Sequence, residues 1–149
     1  MDTILAEFKS SDLSRKPLEV FLAAENSPVR VTRRDGTDMI LMTQREADAR
    51  AELLGFAAQL IAVSTDDRGS LAERLADKLP WILALNPTDQ VQCAKDLINA
   101  ARASFATNQP FLAVAELTAW RETATAIASG VSQQRATWLE GSIQVSRPA

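Results

Sequence analysis

The chain has 149 residues, 46% of them hydrophobic and 23% charged, with 16 basic against 19 acidic side chains and a net charge of −3. That length holds one domain or two small ones, the composition is globular rather than disordered, and the net acidity argues against indiscriminate coating of nucleic acid. The single Cys93 has no partner for an intramolecular disulfide, and the longest apolar run, residues 80–85, is far too short to cross a bilayer. With no apolar leader at the N-terminus, these features predict a cytoplasmic protein without a membrane partner. Histidine and tyrosine are absent, which removes the commonest general base and a frequent metal ligand. No catalytic residue, metal site or cofactor is expected, and the chain does not read as an enzyme.

In chain order, residues 2–8 alternate too poorly to define a strand. Ser10 to Leu22 reads as a short capped helix that ends near Glu25–Pro28. Pro28 to Met42 then places two β-rich runs around Arg33-Arg34-Asp35-Gly36. Asp-Gly signals a tight hairpin because both central residues reach positive φ, which sets two arginines at or near the tip. Thr43, followed three residues later by Glu46, reads as a capping box, so the second strand should run straight into a helix. That helix carries Ala47, Ala51, Leu54, Ala58 and Ile61 at spacings of 4, 3, 4 and 3, an amphipathic stripe, and should end around Val63.

The polar cluster 64–70 marks a linker and the domain boundary. Beyond it the pattern is helical. Leu71, Leu75, Leu79 and Leu83 repeat every four residues up to the Asn86-Pro87 break. Thr88 or Asp89 can cap a helix with the face Val91, Ala94, Ile98, Ala101 and Phe105. Asn108-Gln109-Pro110 then opens a third, with the face Val114, Leu117, Trp120, Ala124 and Ile127 and with Gly130 as its C′ residue. The expected organisation is 1–63, a linker over 64–70, a helical region over 71–130 and a partly extended tail over 131–149. A first unit of about sixty residues buries only about 60% of its unfolded surface, so a homodimer is the natural remedy.

Charge is unevenly spread. Between Phe8 and Arg34 six basic residues stand against three acidic ones, residues 35–70 reverse this at three against seven, and the rest is balanced at seven each. Any footprint for an anionic partner therefore lies in the N-terminal third, on Lys9, Arg15, Lys16, Arg30, Arg33 and Arg34, with Ser11 and Ser14 as phosphate donors or helix caps. The bland alternative is a set of solvated arginines. Trp81 and Trp120 read as core, while Trp138 sits in a polar tail where a partner could bury it. Asp66-Asp67 and the acids at 73–77 are interleaved with Arg68 and Arg74, which suits a solvated linker better than a metal site. Cys93 reads as a small buried residue.

The succession of a Ser-rich helix start, the Val29-Arg30-Val31-Thr32-Arg33-Arg34-Asp35-Gly36 hairpin, Leu41-Met42-Thr43 and an Ala/Leu helix resembles the Phd/YefM (prevent-host-death) family of bacterial antitoxins, over residues 1–62. The resemblance implies an α+β fold: a small module of helix, β-hairpin and helix, its sheet completed with a dimer mate, followed by an all-α region. It implies a homodimer or higher oligomer that binds operator DNA through Lys9, Ser11, Ser14, Arg15, Lys16, Arg30, Arg33 and Arg34. It also implies a toxin-binding second half, with Trp120, Arg121, Trp138, Leu139 and Ile143 as the contacts expected there. The cognate toxin, a ribonuclease for example, would be the enzyme of the pair. The rival readings are a Phd/YefM-like or AbrB/MazE-like transcriptional regulator with no toxin partner.

Overall fold

The computed structural model describes residues 5–131. Its elements run β1 (Glu7–Lys9), α1 (Asp12–Arg15), α2 (Pro17–Asn26), β2 (Val29–Thr32), β3 (Met39–Leu41), α3 (Gln44–Thr65), α4 (Leu71–Lys78), a 3-10 turn (Pro80–Ala84), α5 (Pro87–Thr107) and α6 (Phe111–Ala128). The class is α+β with helix predominant, and no helix among the described residues is long and apolar enough to cross a membrane. The one helix expected from Ser10 is two. Pro17 bars the residue before it from helical geometry, so Lys16 sits at φ −142, ψ 58 and Pro17 opens α2.

β1 pairs in parallel with β2, Phe8 level with Val31, and β2 pairs antiparallel with β3, Val31 level with Met39. The three-stranded sheet, in the order β1-β2-β3, is formed within one chain. Backbone bonds at each end of β1 fix it: Arg30 N–H donates to Ala6 at 2.8 Å and Ser10 N–H to Thr32 at 2.9 Å. Val29 and Val31 point toward α2 and pack on Val20 and Ala24, with Phe8, Ala23 and Leu41 at the edge. The hairpin turn also differs. Gly36 has φ +144 but Asp35 stays at negative φ, so a wider loop rather than a two-residue turn joins Val31 to Met39.

Thr43 caps α3 by accepting from Glu46 N–H at 3.1 Å. The return half of the expected capping box is missing, because the Glu46 carboxylate instead bonds the Arg50 guanidinium at 2.8 Å. Along α3 the buried residues are Glu46, Ala49, Leu53, Phe56 and Val63. The stripe read from the sequence lies on the opposite face, with Leu54 71% and Ile61 64% exposed. Both faces are apolar, and periodicity alone does not choose between them.

Phe56 and Val63 join one contiguous core with Leu75, Leu79, Ile82, Leu85, Cys93, Leu97, Leu117 and Ala124. Residues 44–65, grouped by sequence with the first unit, thus pack on the helical half, and 66–70 form a turn at the edge of that core. The Arg74 guanidinium crosses this turn to the carbonyls of Val63 and Asp66. α4 opens with a full capping box, Ser70 with Glu73. The α5 cap is Asn86, which accepts from Asp89 N–H at 2.8 Å, in place of Thr88 or Asp89. The α5 face is also rotated from expectation: Cys93, Ala94, Leu97, Ala100 and Ala101 are buried, while Val91 and Phe105 are exposed. Trp81, Trp120 and Ile127 pack against the core, and Gly130, at φ +83, follows α6 as its C′ residue.

Candidate nucleic-acid interface

Parallel pairing of β1 with β2 brings two chain segments together at the C-terminal ends of both strands. β1 leads into Ser10 and Ser11, and β2 leads into Arg33 and Arg34. Between them lies a cleft of about 430 Å³ lined by Lys9, Ser10, Ser11, Thr32, Arg33 and Arg34. Three cations and three hydroxyls face it, with no carboxylate among the lining residues. Among the described residues no ion pair involves Lys9, Arg33 or Arg34. Such a surface attracts an anion, and hydroxyls beside guanidinium groups match the oxygen acceptors of a phosphodiester.

Local bonding keeps the cleft open. The Asp12 carboxylate accepts from Lys9 N–H at 2.8 Å, which tightens the β1–α1 turn. Thr32 Oγ1 donates to the Phe8 carbonyl at 3.3 Å, tying the two strands under the cleft floor. The Arg33 guanidinium folds over Gly36, where a Cβ would stand 3.1 Å from Arg33 Cζ. Gly36 therefore gives the loop both its φ and the room for Arg33.

Of the eight residues expected at a DNA surface, Lys9, Ser11, Arg33 and Arg34 are brought together here, and Ser10 and Thr32 join them. Ser14 and Arg15 are exposed on α1 outside the cleft. Lys16 turns away, 3.6 Å from Glu19 and 5.7 Å from the centre of the Phe8 ring. Arg30 lies on the open face of the sheet, level with Glu7 and Ile40. The two missed hydroxyls became legible only through the β1–β2 register.

The second candidate surface is less assembled. Trp120 packs against the helical core and its indole N–H donates to Glu116 at 3.1 Å. Arg121 reaches Glu52 on α3 at 3.7 Å. Trp138, Leu139 and Ile143 lie outside the described residues. Between α3 and α6 runs a groove of about 730 Å³ that includes Ala49, Val114, Ala115 and Ala119, with Asp48, Glu52 and Glu122 on its rim. Arg45 closes one end by stacking 4.7 Å from the Phe111 ring centre.

Cys93 is buried without a partner, and desolvation, reinforced by Asp96 and Glu116, pushes its thiol up to about 12. It is therefore protonated and unreactive at neutral pH. Among the described residues no group of three or more carboxylate or thiol side chains is placed to hold a metal ion.

No family model, curated protein or solved structure matches this chain.

Proposed function

We propose that the chain is an antitoxin of the Phd/YefM type, a dimeric DNA-binding protein that represses its own operon and masks a cognate toxin. The observation that carries this reading is the cleft at the ends of β1 and β2, where Lys9, Ser11, Arg33 and Arg34 converge with no acid lining it among the described residues. The order of elements from β1 to α3 supports it as well. A parallel β1–β2 pair bridged by α1 and α2 favours it over the swapped-hairpin AbrB/MazE alternative.

In this account the arginines contact phosphates and set the register on duplex DNA, while the hydroxyls of Ser10 and Ser11 supply further bonds. A dimer that neutralises roughly six to eight phosphates loses affinity with salt at a log-log slope of roughly −5 to −7. The helical half, with its groove between α3 and α6 and the segment that holds Trp138, Leu139 and Ile143, contacts the toxin and occludes its active site. Toxin binding then tunes operator occupancy by linkage. The chain itself carries out no catalysis here.

The test is twofold. Purification from the native host should recover a stoichiometric small partner protein, and the chain should bind the DNA upstream of its own gene. Recovery of the chain alone, still binding that DNA, favours the transcriptional regulator without a toxin.

A further inference from the structure

Between α3 and α6 the side chains are too small to fill the space that the helices leave. The floor of this groove of about 730 Å³ is Ala49 on one side and Val114, Ala115 and Ala119 on the other. Arg45 meets Phe111 at one end and Glu52 meets Arg121 at the other, so the two helices run parallel along it. Acids stand on both rims, Asp48 and Glu52 on α3 and Glu122 on α6. The one lining cation, Arg45, is stacked on Phe111 at the far end, and Glu122 forms no ion pair among the described residues. An occupant that fits is bulky and apolar where it meets the alanines and cationic at the Glu122 end.

The chain carries such an occupant itself. α6, one wall of the groove, ends at Ala128, and Gly130 at φ +83 lets the backbone leave the helix axis. Residues 132–149 follow, outside the described residues. Their sequence holds Trp138, Leu139, Ile143 and Val145 as large apolar side chains, and two arginines, Arg135 and Arg147, against one acid, Glu140. The first arginine precedes the tryptophan, as the groove demands of a segment entering from the Glu122 end. From the end of α6 back to Glu122 is about 9 Å of helix, and back to Ala115 about 20 Å. A chain spans at most about 3.3–3.6 Å per residue, so Arg135 reaches Glu122 and Trp138 reaches both alanines of α6. We infer that residues 132–149 fold back over the α3–α6 groove, with Trp138 against Ala115 and Ala119 and Arg135 beside Glu122.

Tethering makes modest contacts sufficient. A short connection holds the segment near the groove at about millimolar effective concentration, so a fit too weak to join two separate molecules is populated within one. The arrangement also regulates the toxin surface proposed above, because a partner seated in the groove has first to displace the segment. The inference rests on the toxin reading for that consequence alone.

Disulfide closure in the full chain tests the placement, because buried, protonated Cys93 stays silent. Thr118→Cys/Ala136→Cys joins an exposed groove position to the segment and removes none of the proposed anchors. Thr123→Cys/Ala136→Cys is the control, since Thr123 is exposed outside the groove and closes a shorter loop, which an unguided chain forms more readily. Oxidised with glutathione disulfide in dilute solution, the Thr118→Cys pair should nevertheless close within the chain at least about tenfold faster than the control. Arg135→Glu should slow that closure about two- to fivefold, the worth of one exposed ion pair, and adding Glu122→Arg should restore it. Closure no faster than the control, or a slowing that the exchanged charges do not recover, overturns the inference. So does a covalent dimer as the main product, which seats the segment on a second copy. Fast closure in a chain that recovers no partner from its host removes the toxin and keeps the inference. A partner recovered by a chain that closes no faster than the control does the reverse.

Discussion

The sheet module formed by β1, α1, α2, β2 and β3 and the helical body formed by α3 to α6 divide the work of the molecule unequally. Among the described residues the module's core rests on four, Val20, Ala24, Val29 and Val31, whereas the body buries fourteen in one continuous cluster. So small a core barely offsets the backbone entropy of the chain that it orders. Yet Lys9, Arg33 and Arg34, which form no ion pair among the described residues, sit on the module. The contrast teaches that the stability of this chain and its capacity to bind an anion reside in different places. Changes to one should be readable apart from the other.

The largest effect expected from that contrast is in the body. Leu97 is fully buried among α5's neighbours, and Leu97→Ala should cost about 2–5 kcal/mol, read as a lower midpoint in urea. Val20→Ala removes less, about 2 kcal/mol, but from a module with little to spare. Amide exchange should then speed up across β1–β3 while α5 and α6 stay protected. If both variants instead melt every element together, the two regions are one cooperative unit and the contrast fails. A smaller step is Asn86→Ala, which leaves Asp89 N–H without its cap and should destabilise α5 by about 1 kcal/mol.

At neutral pH the smallest effect, one that grows only in alkali, is a matter of pH. The folded Cys93 thiol is pushed up to about 12 by burial, while in the unfolded chain it ionises near pH 8.5. The folded state therefore holds the proton more tightly. This contribution to stability is complete below about pH 8.5 and is lost as the pH rises toward 12. Cys93→Ala should flatten the alkaline fall of the unfolding midpoint.

The sequence disclosed those features of the fold that depend on neighbours along the chain. The strands on either side of the Arg33–Gly36 loop, the Thr43 cap, the helix to around Val63 and the Gly130 terminus all rest on local chemistry. What escaped depends on distant partners. β1 is three residues long and holds its place through bonds to Arg30 and Thr32, which no alternation of its own announces. Which side of α3 and α5 turned inward could not be read where both sides carry apolar residues. The same holds for the site: Lys9, Ser11, Arg33 and Arg34 stood out by charge and position, but Ser10 and Thr32 entered only once β1 lay beside β2. Lys16 was lost from it to Phe8 and Glu19.

The central claim is that the cationic cleft binds duplex DNA, and the most direct measurement is fluorescence anisotropy with the DNA upstream of the gene, at several salt concentrations. Arg33→Ala/Arg34→Ala should lower affinity by at least about tenfold at moderate salt and make the salt slope shallower, with the thermal midpoint unchanged. An affinity and slope equal to those of the parent chain would show that these side chains do not meet phosphate, and would contradict the account.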